Sequence, residues 1–145
     1  MIPKSIDDVT INWLSDVLQT DVTGISRTQI GQGVGIMGDI FRLELNHSTP
    51  DSPRSVVVKL PSSWEENRAQ GVALGMFEAE VRFYRELAKE GPVGLPGIYL
   101  ADIESGTANF VIVMEDLDSL TMVPQSEGVS LEQALLAVEV LAVAH

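Results

Sequence analysis

The chain has 145 residues, 45% of them apolar and 21% charged, a composition that suits a soluble globular domain with a real core. It has no cysteine and only two histidines, His47 and His145, which excludes a disulfide framework, a thiol nucleophile and a Cys-based or His-rich metal site. A formal charge of −12 argues against nucleic acid or an anionic membrane surface as the main partner.

The start, Met1 to Asp8, has no apolar run behind a basic stretch, so no signal peptide is expected. Thr10 reads as an N-cap, and Trp13, Leu14, Val17 and Leu18 form an apolar stripe at helical spacing. Residues 20–24 break that pattern, and a strand is expected over 25–32. Glycines follow at 31, 33, 35 and 38, and then Phe41, Leu43 and Leu45 alternate with Arg42 and Glu44 in a half-buried strand over 39–46. Residues 46–54 hold two prolines and two serines and read as a hairpin loop. The β-branched run over 55–60 is a third strand, ended by Pro61.

Residues 65–90 read as mostly helical with a break around Gly71 to Gly75, the main helix covering 76–89. Two strands over 98–104 and 109–114 are joined by a turn at Glu104-Ser105-Gly106-Thr107. A polar linker follows, and Ser130 with Gln133 forms a capping box for a last helix. That stretch, 131–144, carries Glu132, Gln133 and Glu139 and is shorter than the ~20 residues of a membrane span. No membrane partner is expected, and a cytoplasmic location is. The tight hairpins imply an α+β fold: a five-stranded antiparallel sheet with one main helix packed on it.

Gly33-Val34-Gly35-Ile36-Met37-Gly38-Asp39-Ile40 fits G-x-G-x-x-G-x-[VI]. Backbone N–H groups approach phosphate oxygens closely only where no Cβ intervenes, so such a loop suits a nucleotide. A dinucleotide fingerprint needs a helix directly after the glycines, and here a strand follows. The Gly-Lys-Ser/Thr ending of a P-loop is absent. A kinase-type loop lies between two antiparallel strands with a lysine on the next one, which is the order found. The bland alternative is a glycine-rich hairpin with no ligand.

Lys59 closes the apolar run Val56-Val57-Val58 and shares a face with Val57. Such a lysine either snorkels to the surface or pairs with an acid inside. In the helix, Phe77, Val81, Tyr84, Leu87 and Ala88 form the buried stripe, and Glu80 falls within it. A carboxylate there is costly unless paired, and Lys59 is the candidate partner. Glu78 falls on the polar face with Arg82, Arg85 and Lys89 and is expected to point to solvent. The strand Phe110 to Glu115 ends in acid; Glu115, Asp116 and Asp118 read as a solvated strand end more readily than as a metal site.

The glycine loop, Val56-Val57-Val58-Lys59, Phe77-x-x-Glu80-x-x-Phe83-Tyr84 and Val113-Met114-Glu115-Asp116-Leu117 stand in an order that resembles the aminoglycoside phosphotransferase and choline kinase group. The chain looks most like the ecdysteroid-kinase-like phosphotransferases within it, and the likeness spans nearly its whole length. The resemblance implies a protein-kinase-like N-lobe over 1–117, and a linker with the first helix of a C-lobe over 118–145. ATP is the implied cofactor. Gly33, Gly35 and Gly38 would cover its phosphates, and Lys59, held by Glu80, would reach them. Ile40 and Val57 would roof the adenine, Met114 would stand behind it, and the Glu115 carbonyl and Leu117 N–H would meet its edge. The group's catalytic aspartate and Mg2+ ligands match nothing in this chain and are expected after His145, so no catalytic or metal residue is assigned. The chain alone is therefore expected to be inactive, with a small-molecule hydroxyl as acceptor in the whole phosphotransferase. The helix over 131–144, apolar on nearly every face, is expected to belong in that larger core. A non-catalytic, regulatory nucleotide-binding module is the alternative, and a ligand-free interaction domain a third reading.

Overall fold

The computed structural model describes residues 1–31, 37–87, 95–120, 123 and 126–144. The class is α+β, as expected. Five strands, β1 (Val22–Ile30), β2 (Gly38–His47), β3 (Ser55–Pro61), β4 (Ile98–Ile103) and β5 (Phe110–Glu115), form an open antiparallel sheet in the order β1-β2-β3-β5-β4. Among the described residues four α-helices accompany it: α1 (Ile11–Leu18), α2 (Glu65–Ala73), α3 (Met76–Arg82) and α4 (Leu131–Ala144). None in the described residues is long and apolar enough to cross a membrane.

Alternation along the strands builds two cores. Val56, Val58 and Leu60 of β3 face one side, where they meet Leu43 and Leu45 of β2 and Val111 and Val113 of β5. Val9 and Leu14 close that side, so the amino-terminal segment and α1 cover it. Thr10 caps α1 as expected, its Oγ1 accepting from the Trp13 N–H at 3.2 Å. On the opposite face Phe77 and Val81 of α3 pack on Phe110, Ile112 and Ala101. The Phe77 and Phe110 rings stack with centroids 4.8 Å apart. Covered on both sides, β5 is buried from Phe110 to Val113, which explains its unbroken apolar run.

Several boundaries differ from the sequence reading for local reasons. Strand β1 begins at Val22 and ends at Ile30, where 25–32 was expected. Gly24 breaks the hydrophobic pattern but not the strand: the register shifts there, and a Cβ would come within 2.9 Å of the Asn46 side chain. The helix break expected around Gly71 to Gly75 is present, at the far end of that window and not at Gly71. Helix α2 runs through it, and the chain turns at Leu74 and Gly75, whose φ of 64° lies in the left-handed region. The main helix ends at Arg82 and widens into one π turn, Phe83–Leu87. The rest of the expected 76–89 span lies outside the described residues. Both arms of the Ser130–Gln133 capping box form, at 2.8 and 3.2 Å. The apolar side chains of α4 are exposed among the described residues, Leu131, Leu135 and Leu141 all above half.

Gly71 is needed for α2 to lie close to α3. A Cβ there would stand 2.2 Å from the Phe77 Cζ. The Gly71→Ala protein should lose roughly 1–3 kcal/mol through overpacking, less the ~1 kcal/mol that alanine gains in a helix. Urea denaturation checks this, and a variant as stable as the parent would show that the Phe77 ring has room to retreat.

Candidate functional site

Strand register sets the site. Ile40 of β2 lies opposite Lys59 of β3, which lies opposite Ile112 of β5. One pleat along, Arg42 lies opposite Val57 and Val57 opposite Met114. Cross-strand partners share a face, so all six stand on the side that carries α3. Helix α3 covers the β4–β5 half of that face. The other half forms a slot of about 630 Å³ lined by Ile40, Val57 and Met114, with Glu115 and Leu117 at its edge. Ile30, Gly31, Pro96 and Leu120, with the charged Arg42, Asp116 and Asp118, complete its walls.

The expected pairing of Lys59 and Glu80 is present. The Lys59 Nζ lies 2.7 Å from both Glu80 carboxylate oxygens, a fork that fixes the ammonium. The side chains are 20% and 30% exposed, so Glu80 lies at the edge of the buried stripe and not deep inside it. A short helix packed over β4 and β5 reaches β3 only with its border residues, which is why Glu80 stays half-covered. Burial first, and then the Glu80 charge, push the Tyr84 phenol above its usual range. Gly38 opens β2 beside the lysine. A Cβ there would stand 2.9 Å from the Leu60 carbonyl oxygen and 3.1 Å from the Lys59 Cε, so its absence gives the lysine stem its path. Gly33 and Gly35 lie outside the described residues, as does His145.

Glu78 turns away from Lys59, as expected, but does not simply point to solvent. Its Oε1 accepts from the Ser105 hydroxyl at 2.7 Å and the Gly106 N–H at 2.8 Å, tying α3 to the β4–β5 turn. The Ser105 bond, then the Gly106 bond, hold its carboxyl below the ordinary 4.5. A lowered folded value stabilises the protein in full above the ordinary value, and that contribution is lost as pH falls through the folded one. Melting temperatures measured from pH 7 down to about pH 3 should therefore show an acid-side drop that Glu78→Gln reduces. An identical pH profile for the variant would refute the assignment.

The strand end differs most from expectation. Of Glu115, Asp116 and Asp118, read together as a solvated strand end, Asp116 is buried and held by Arg42 of β2, while Asp118 pairs with the same arginine but stays 70% exposed. The Arg42 Nε lies 2.9 Å from the Asp116 Oδ2, and the Arg42 Nη2 donates to the Asp116 Oδ1 at 3.2 Å. The same Nη2 lies 2.8 Å from the Asp118 Oδ1. Asp116 also accepts from the Asp118 N–H at 3.1 Å, and its side chain is only 4% exposed. The signal was an arginine on a half-buried strand, but its partners lie more than 70 residues away and nothing local pairs them. Glu115 is engaged as well: its N–H donates to the Gly97 carbonyl at 2.7 Å, and its Oε2 accepts from the Gly97 N–H at 3.0 Å. Among the described residues no group of three or more His, Asp or Glu side chains stands together where it could hold a metal ion. The Leu117 carbonyl accepts from the Leu120 N–H, while the Leu117 N–H finds no acceptor among the described residues.

Five of the ten residues expected to bind ATP line the slot: Ile40, Val57, Met114, Glu115 and Leu117. Lys59, Glu80 and Gly38 stand together beside it. Compared with protein-family models, with curated proteins and with solved structures, the chain matches none.

Proposed function

We propose that this chain is the ATP-binding lobe of a kinase-like phosphotransferase that moves the γ-phosphoryl group to a small-molecule hydroxyl. The observation that carries the reading is the Lys59–Glu80 fork, one register step from an apolar slot on the same sheet face. An apolar slot whose edge carries a backbone donor with no acceptor among the described residues suits a planar base. The Leu117 N–H would donate to the adenine edge and the Glu115 carbonyl would accept from it. Glu80 holds the Lys59 ammonium where α- and β-phosphate oxygens would lie, and its positive charge offsets theirs. Phosphoryl transfer depends mainly on positioning and charge. Mg2+, when bound with ATP, would supply further charge on the phosphates. The acidic residues at the slot edge are not proposed as its ligands, and no catalytic base is assigned.

Calorimetric titration of the 145-residue chain tests the reading. ATP should bind saturably and more tightly than adenosine, because only ATP reaches Lys59. No binding of either compound at millimolar concentration would overturn it.

A further inference from the structure

We propose that Arg42 is a positioning residue for the base, a reading that rests on the nucleotide slot above. The slot edge is the segment after β5, and a free strand end would move with the linker that follows. Arg42 prevents that from across the sheet. It stands on β2 in register with Val57 and, through it, with Met114, so its side chain crosses the same face as the slot. Its guanidinium spans two carboxylates two residues apart, Asp116 at 2.9 Å and Asp118 at 2.8 Å. Leu117 lies between them, with its N–H uncommitted among the described residues.

The two arms are unequal. Asp116 is 4% exposed and Asp118 70%, so solvent screens the second far more. The contact between the Arg42 Nε and the Asp116 Oδ2 is short but lies off the hydrogen-bond line, and both atoms are buried. It holds by charge, and the aligned bond is the one from Nη2. The Asp118 N–H folds back onto the Asp116 carboxylate, which bends the chain around Leu117. Lysine, a single point charge, cannot span both carboxylates in this way. Arg42 itself lines the slot, and through Asp116 and Asp118 it also fixes the segment that carries the Leu117 donor.

The test is calorimetric titration of the 145-residue chain with ATP and, separately, adenosine, at a temperature where circular dichroism shows each variant folded. Arg42→Gln should weaken both compounds by the same factor, roughly tenfold, about one hydrogen bond's worth. Arg42→Lys should lose less, and Asp118→Asn least. Because Arg42→Gln leaves the buried Asp116 charge unpaired, the double variant Arg42→Gln/Asp116→Asn removes that charge and should show the same loss while folding normally. Variants that melt earlier yet bind adenosine as the parent does would overturn the proposal and make the clamp purely structural. A loss confined to ATP would overturn it too, placing Arg42 at the phosphates. If the parent binds neither compound, the nucleotide reading itself fails and this proposal falls with it. If the parent binds and only the Arg42 variants behave as parent, the failure is of this proposal alone.

Discussion

Replacing Lys59 by alanine should weaken ATP binding by about ten- to a hundredfold and leave adenosine binding unchanged. A charged hydrogen bond to phosphate is worth roughly 1.5–3 kcal/mol, and the ammonium is already fixed by two bonds of 2.7 Å to Glu80. Substrate binding therefore has little lysine entropy to overcome, and the loss should fall at the large end of that range. Glu80→Gln keeps the shape but loosens the fork, and should cost less than Lys59→Ala. Lys59→Arg should not rescue, because the lysine stem passes close to Gly38 and a broad guanidinium has no such path. In a complete phosphotransferase the same substitution should cut the transfer rate strongly, since the missing charge faces the transferring phosphates. Equal losses for ATP and adenosine would place Lys59 away from the phosphates.

Phe77→Ala should lower stability by about 3–5 kcal/mol, the largest loss of any single residue in α3. The ring is 2% exposed, stacks on Phe110 and packs against the Gly71 backbone, so its removal leaves a cavity under three elements. The cost reaches the site as well. Helix α3 carries both Phe77 and Glu80, and a loosened anchor frees Glu80 from Lys59. Urea denaturation should show a lower midpoint with an unchanged slope. A loss below about 1 kcal/mol would show that α3 is held by something other than this face.

Much of this was legible because each feature rests on short-range chemistry. The β-branched run at Val56 to Val58 specifies a strand, and period two puts Lys59 with Val57. Period 3.6 puts Glu80 beside Phe77 and Tyr84, and a carboxylate on such a face calls for a cation. Glycine was the unreliable sign. At Gly24 and Gly71 it marks a close approach of other groups, while the expected helix break falls at Gly75, and only the tertiary structure shows what approaches Gly24 and Gly71. The Arg42 clamp was out of reach for a different reason. Three charged residues near a strand end look solvated unless the strand order β2-β3-β5 is known, because that order brings Arg42 across to Asp116. Glu78 was half legible: periodicity turned it from Lys59, but its partners at the β4–β5 turn depend on how that hairpin meets the helix.

The central claim is that one nucleotide lies across this face, base against the end of β5 and phosphates at Lys59. Two-dimensional NMR of the labelled chain, titrated with ATP, tests it most directly. The amides of Val57, Met114 and Leu117 should shift with both ATP and adenosine, and those around Lys59 and Gly38 with ATP alone. Shifts confined to other parts of the sheet, or none at saturating ATP, would contradict it.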